Sequence, residues 1–298
     1  MKIIEFNKYY KKFGILSLVL IIISLSLLFF KGLNYGVDFK GGTLIEIRIE
    51  NSDHSVSKVR DVFNNSNLPN LTVKNFGNNS DYIIKFQKQN LDNPEYINNL
   101  KNEVSKSFPD INFRRVENVG PKVSSELLKS GIIAITLSLA AMLFYIWIRF
   151  EWQFSLGSIL AIFHDVLITI GIFSILSLEV NLSIVAAVLT IVGYSMNDTV
   201  VIYDRIRENL SKYSSSTIDD VSNTSINETL SRTIITSVTT LLALGSIYVL
   251  GGEILKGFSL AMIIGVIIGT YSSIFVASPI LKYLRVSYKS IAKEEEKN

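Results

Sequence analysis

The residues best able to do chemistry in this chain lie where charge is expensive. Asp198 closes the run Leu189-Thr190-Ile191-Val192-Gly193-Tyr194-Ser195-Met196-Asn197, and the next charge is Asp204. An ionised Asp or Arg at the centre of a membrane helix costs about 2.5–3.5 kcal/mol on the insertion scale. Such a residue therefore usually faces the protein interior and marks an ion pathway or proton relay. At i, i+3, i+4 spacing, Thr190, Tyr194, Asn197, Asp198 and Val201 share a helical face, and Thr199 follows directly. Counted from an outer end near Leu182, Asp198 is about 24 Å deep at 1.5 Å per residue, in the inner part of the membrane rather than at its midplane. Two readings stand, a solvated helix end and a buried titratable site. The apolar and hydroxyl residues on both sides favour the second.

Two further places carry charge within apolar sequence. Arg232 opens a run whose polar face continues through Thr233, Thr236, Ser237 and Thr240. An Arg at a membrane boundary can snorkel to water, but the depth of Arg232 roughly matches that of Asp198, so an ion pair is the rival reading. His164-Asp165 falls near the middle of another apolar run. A His–carboxylate pair there is either a secondary proton relay or a hydrogen-bonded pair holding helices together. The last apolar run repeats a small residue every fourth position, at Ala261, Gly265, Gly269, Ser273 and Ala277. This is a helix-packing stripe, built either to seal one helix on a neighbour or to let it slide.

Absences narrow the chemistry. The chain has no Cys, which excludes disulfides, a thiol nucleophile and Cys-ligated metals, and its two His, at 54 and 164, cannot build a His-rich metal site. No phosphate-binding G-x-x-x-x-G-K-[ST] loop and no H-E-x-x-H helix occurs. We expect no enzymatic activity and no bound cofactor or metal, and an ion gradient as the energy source.

The elements that must position these residues are membrane spans. The chain has 298 residues, 48% hydrophobic and only 18% charged, against roughly 25% charged in soluble domains. A net charge of +3, with no basic stripe, excludes nucleic-acid binding. Six apolar runs are long enough to cross a bilayer, at 13–30, 129–149, 153–177, 182–203, 233–250 and 257–281. The first lacks a small-residue cleavage site and reads as an uncleaved anchor. Lys and Arg concentrate in the stub 1–12, the connection 204–232 and the tail 282–298, while the turn 178–181 has none. The positive-inside rule therefore places both termini in the cytoplasm.

Residues 31–128 form a domain outside the membrane. Segment 43–50 alternates Ile45, Ile47 and Ile49 with Glu46, Arg48 and Glu50, the mark of a half-buried strand. Val56, Val59, Val62 and Phe63 fall at helical spacing. Two strands, 71–76 and 82–87, meet across Gly77-Asn78-Asn79-Ser80. Asn93-Pro94 then caps a helix lined by Ile97, Leu100, Val104 and Phe108, and a strand follows near 111–116. The order β-α-β-β-α-β is the ferredoxin-like pattern. The expected fold is thus a polytopic α-helical membrane protein of six transmembrane helices, with one α+β ferredoxin-like periplasmic domain between the first and second.

Several motifs together resemble the SecD/SecF family of protein-export membrane proteins, accessory subunits of the Sec translocon and relatives of the RND transporters. They are Gly36-Val37-Asp38-Phe39-Lys40-Gly41-Gly42-Thr43, Val119-Gly120-Pro121 with Glu126-Leu127, and Phe163-His164-Asp165-Val166. Gly193 through Arg205, Ser231-Arg232-Thr233, and Gly257-Phe258-Ser259 onward to Ser278-Pro279 complete the set. Ser124-Ser125 stand where the family often has glycine. The resemblance implies half of an RND-type bundle, with SecD supplying the other six helices. It also implies work beside the SecYEG translocon and the YidC insertase, acting on a translocating preprotein through the proton-motive force. H+ is the implied coupling ion and Na+ its alternative. The matching positions assign the proton pathway to Asp198 and Arg232, flanked by Asn197 and Thr199. Two rival functions use the same residues: half of a proton-driven small-molecule or lipid exporter, and a passive scaffold that stabilises a translocon.

Overall fold

The computed structural model describes residues 3–50, 55–66, 68–76, 78–87, 94–213 and 215–288. A 3-10 turn at Phe6–Tyr9 leads into α1 (Tyr10–Phe30). Then come β1 (Asn34–Tyr35), α2 (Val37–Lys40), β2 (Gly42–Ile49), α3 (Val56–Asn64), β3 (Thr72–Phe76), β4 (Asn78–Phe86), α4 (Pro94–Ser107) and β5 (Ile111–Val119). The chain continues through α5 (Pro121–Arg149), α6 (Trp152–Ile175), β6 (Glu179–Val180), α7 (Leu182–Lys212) and α8 (Ile218–Leu250). Finally α9 (Gly252–Ser272) runs through a π-helical turn, Ser273–Ala277, into α10 (Ser278–Tyr283). Among the described residues, six helices are long and apolar enough to cross a membrane. The chain divides into two compact units, a sheet unit of Tyr35–Ile133 with Glu179–Leu182, and a helical unit of the remainder.

In the helical unit, α6, α7 and the last helix are about half buried, whereas α1, α5 and α8 bury little of their apolar surface. Small residues explain the close centre, because they let helix backbones approach. A Cβ at Gly171 of α6 would lie 2.2 Å from Ser24 Oγ of α1, and one at Gly157 would lie 2.3 Å from the Tyr203 hydroxyl. The stripe on α9 meets a matching row on α7. A Cβ at Gly265 would come 2.3 Å from Ile191, and one at Gly269 would come 2.9 Å from Ser195. One turn on, the Ser273 and Thr199 hydroxyls share a hydrogen bond of 2.9 Å, and the Tyr203 hydroxyl donates to Ala277 O at 2.9 Å.

The connection expected as a loop at 204–232 is helical over most of its length. α7 runs on to Lys212, and α8 begins at Ile218 behind Thr217, whose hydroxyl accepts the Asp220 N–H at 3.2 Å. Asp219 and Asp220 in that first turn favour the positive end of the helix dipole. The charges of this stretch disguised an amphipathic pattern: Ile206, Leu210, Val221 and Ile226 are all buried. Asn209 adds hydrogen bonds to Ser225 Oγ and Glu228 Oε2. Likewise α5 begins at Pro121, eight residues before the expected span. Ser124 fits inside that first turn, donating to Gly120 O at 3.1 Å.

In the sheet unit the strand order is β3-β4-β2-β5, every neighbouring pair antiparallel. The core joins Ile45, Ile47 and Ile49 of β2 to Val59 and Phe63 of α3 and to Leu100 and Val104 of α4. Ser55 caps α3 by accepting the Lys58 N–H. The helix expected after residue 93 is α4, although Asn93 and Gly77 lie outside the described residues. β2 corrects the half-buried reading, since it is buried on both faces. It sits between β4 and β5, whose long side chains cover its polar face. Arg48 donates to both oxygens of Asp81 at 2.6 and 2.7 Å, and Arg115 lies 3.5 Å from Glu46. The hydrogen bonds from Arg48 hold the Asp81 carboxyl below its ordinary range, while burial pushes that of Glu46 up.

The Gly-Gly pair has a steric reason. Gly41 and Gly42 adopt φ of 74° and 132°, and a Cβ at Gly42 would sit 2.6 Å from Phe86 O. Only glycine admits both that backbone and that approach.

Candidate functional site

Asp198 lies near the middle of α7 and is 3% exposed. Thr270 of α9 places its hydroxyl beside the carboxylate, and the Arg232 charge on α8 acts on it from nearby. Among the described residues Asp198 Oδ2 has no hydrogen-bond partner, nor do the buried hydroxyls of Tyr194 and Thr233. Tyr194 is one turn before Asp198. Thr233 is one turn before Ser237, which shares a 2.8 Å hydrogen bond with Thr270. Asp198, Thr270 and Ser237 thus form one polar patch where α7, α9 and α8 converge. A buried polar atom without a partner costs about 1–3 kcal/mol, more when charged.

Arg232 is exposed and forms no ion pair with Asp198 among the described residues. The pair expected from matching depth is thus held apart, close enough to be felt and not closed. Asn197, next to the buried Asp198, is also exposed. Thr190 is exposed as well, so the face shared by these residues runs from buried Asp198 out to the surface of the chain. Adjacent helical residues diverge by about 100°, so one edge of that face is buried while the other is open. Thr199 turns instead toward Ser273.

His164 and Asp165 form a separate, closed network. His164 Nδ1 meets Asp165 Oδ1 at 2.8 Å, and His164 Nε2 meets Ser17 Oγ of α1 at 3.1 Å. Ser272 donates to Asp165 Oδ2 at 2.8 Å, and Ser195 donates to the same oxygen. Ser17 shares a 2.8 Å bond with the Tyr271 hydroxyl, which stacks its ring over His164 at 6.0 Å. Four helices meet there, with each carboxylate oxygen satisfied. The hydroxyls that decide this arrangement, Ser17, Ser195, Thr270 and Ser272, had no assigned role in the sequence. Their only signal was a polar group in an apolar helix. Gly269 shapes the network too, because Ser195 occupies the space its missing side chain leaves.

Comparison with known proteins agrees in every direction taken. Residues 99–287 match the family described as "Protein export membrane protein SecD/SecF, C-terminal", and residues 26–53 match the SecD/SecF GG motif. The protein translocase subunit SecF of Rickettsia bellii is 44% identical over 279 residues, 93% of this chain and 92% of that protein. The SecF of Cereibacter sphaeroides is 45% identical over 265 residues, 86% of this chain and 81% of that protein. A crystal structure of SecDF from Thermus, described as a translocon-associated membrane protein, superposes with a TM-score of 0.86 at 34% identity. It covers 95% of this chain, which spans 38% of the SecDF chain. A second SecDF structure, in a super-membrane-facing form, gives a TM-score of 0.71 at 34% identity. With two family matches and relatives aligned over nearly its full length, the chain belongs to the SecD/SecF family of protein-export membrane proteins.

Proposed function

We propose that this chain is one half of a proton-driven protein-export machine, and that Asp198 is its titrating group. The observation that carries this reading is the unpartnered, buried carboxylate oxygen of Asp198, with Arg232 near but unpaired. Burial favours the neutral acid and an approaching guanidinium favours the anion. A carboxylate alternating between those surroundings takes up a proton on one side and releases it on the other. Each charge crossing the membrane is worth about 2.3 kcal/mol per 100 mV. Swinging a two-state equilibrium from 1:99 to 99:1 needs about 5.5 kcal/mol. One proton thus biases a movement strongly, and two or three drive it.

In this reading the sheet unit is a ferredoxin-like periplasmic domain that grips an emerging preprotein, and its strand order supports that class. Both termini lie in the cytoplasm, in keeping with the distribution of Lys and Arg. SecD supplies the other six helices, which fits the length of the SecDF chain and the apolar surfaces left open on α1, α5 and α8. The pair works beside SecYEG and YidC. The exposed Asn197 faces away from the chain's own core and completes the pathway from the partner side, while Thr199 holds α7 to the last helix.

Translocation into inverted membrane vesicles carrying the assembled complex tests the reading. Asp198→Asn is expected to abolish stimulation by the proton gradient while basal translocation persists. Undiminished stimulation would remove Asp198 from the mechanism. Stimulation by a Na+ gradient in place of a H+ gradient would reassign the coupling ion.

A further inference from the structure

The contacts around His164 run in a chain, and the hydrogens in that chain can be counted. His164 Nδ1 meets Asp165 Oδ1 at 2.8 Å, His164 Nε2 meets Ser17 Oγ at 3.1 Å, and Ser17 Oγ meets the Tyr271 hydroxyl at 2.8 Å. The Tyr271 hydroxyl in turn donates to Phe13 O of α1 at 2.7 Å. A carbonyl has no hydrogen to give, so this last contact uses the single hydrogen of Tyr271. Ser17 must then donate to Tyr271, which uses its single hydrogen as well. Nε2 is left to supply the hydrogen of its own contact with Ser17. The contact of Nδ1 with Asp165 still needs another, and a neutral imidazole carries only one N–H. The chain closes only with one proton more than a neutral ring and an ionised carboxylate possess.

The other side of Asp165 decides where that proton sits. Oδ2 accepts from Ser195 of α7 and Ser272 of α9, so with Nδ1 on Oδ1 the carboxyl group meets three donors. That suits the ionised acid, which is an acceptor only. The ring is then the imidazolium, and the Tyr271 ring stacked on it at 6.0 Å offers a face that attracts a cation. Hydroxyls of Ser17, Ser195, Tyr271 and Ser272 surround the pair. Among the described residues no other ion pair engages it, and the nearest charge along α7 is Asp198, one turn past Ser195.

We propose that His164 and Asp165 form a proton-binding site, the ring an imidazolium against the ionised carboxylate, and that the bound proton fastens α1 to α6 and α9. Without it, two lone pairs face each other at one contact of the chain, and the tie breaks there. α1 buries little of its apolar surface, so hydrogen bonds weigh more in its attachment than packing does. This proton is distinct from the one that Asp198 would carry.

The chain has two His, at 54 and 164, so His54→Gln leaves the ring of interest as the only one. Solid-state NMR of the ring nitrogens, on the full chain labelled in histidine and embedded in lipid bilayers at neutral pH, reads its hydrogens directly. Both nitrogens are expected to carry one, with Nδ1–H coupled to the Asp165 carboxylate. Asp165→Asn keeps an oxygen to accept Nδ1–H but removes the negative charge, which leaves a buried imidazolium without its counter-ion. In that variant the Nε2 hydrogen is expected to be lost. A neutral ring beside the native Asp165, in either tautomer, would overturn the proposal. So would an imidazolium that survives Asp165→Asn, because the proton would then not belong to the pair.

Discussion

Asp165 and Asp198 are buried to nearly the same degree, on neighbouring helices of the same unit, yet their surroundings are opposite. Asp165 has both oxygens engaged, by His164 on one and by Ser195 and Ser272 on the other. Asp198 keeps one oxygen without a partner and has an Arg that stops short of it. The contrast separates two uses of a buried acid. A fully satisfied network rigidifies the helices that supply it. An incompletely satisfied one leaves a state to be filled, as the proton-carrying role proposed above for Asp198 requires. α7 contributes to both, since Ser195 reaches Asp165 and Asp198 lies one turn on, beside Thr270 of α9.

The comparison breaks if Asp165 is dispensable for stability. Asp165→Ala strands two hydroxyls and a His in the bundle centre, and should lower unfolding free energy by about 3–5 kcal/mol. Thermal unfolding of the purified chain in detergent, followed by Trp fluorescence, measures it. Gly269→Ala drives a methyl into Ser195 and displaces its hydroxyl from Asp165. It should cost about 1–3 kcal/mol by overpacking in the same assay.

Asp81 is a paired carboxylate outside the membrane and calibrates the pair. Arg48 is partly solvated, so Asp81→Asn should cost only about 1 kcal/mol at neutral pH, read by pulse proteolysis of the sheet unit in urea. The Asp81 carboxyl is held below its ordinary value, so this contribution is complete above that value and disappears as pH falls through the lowered one. Wild type and variant should therefore begin to converge only as pH falls below about 4. The smallest stability effect belongs to Asp198→Asn, within about 0.5 kcal/mol, because it removes a charge that little in the fold satisfies. A loss as large as that of Asp165→Ala would make Asp198 a second structural acid and erase the distinction.

Much of this molecule was legible before any coordinates. Hydropathy alone located six spans, because an apolar run long enough to cross a bilayer has few other stable fates. The small-residue stripe on α9 and the β-α-β-β-α-β order were readable from period. What misled was local polarity taken for solvent exposure. The charged stretch 204–232 is largely helix, and Glu46 of the alternating strand is covered by Arg115. In both cases neighbours distant in sequence supplied the burial. The exposure of Asn197 beside a buried acid was not readable either, since spacing gives a residue's place around the helix and not which arc the neighbouring helices cover.

Composition and spacing by themselves determined the solvent this chain needs, the number of its spans, and the few ionisable residues placed at a cost within them. They also carried motifs sufficient for the family. Tertiary packing decided which of two buried acids is satisfied, that Gly269 yields its space to Ser195, and that Arg232 stands off from Asp198. The reason is geometric. A hydrogen bond between helices depends on the rotation and height of at least two of them at once, and no single run of sequence encodes either.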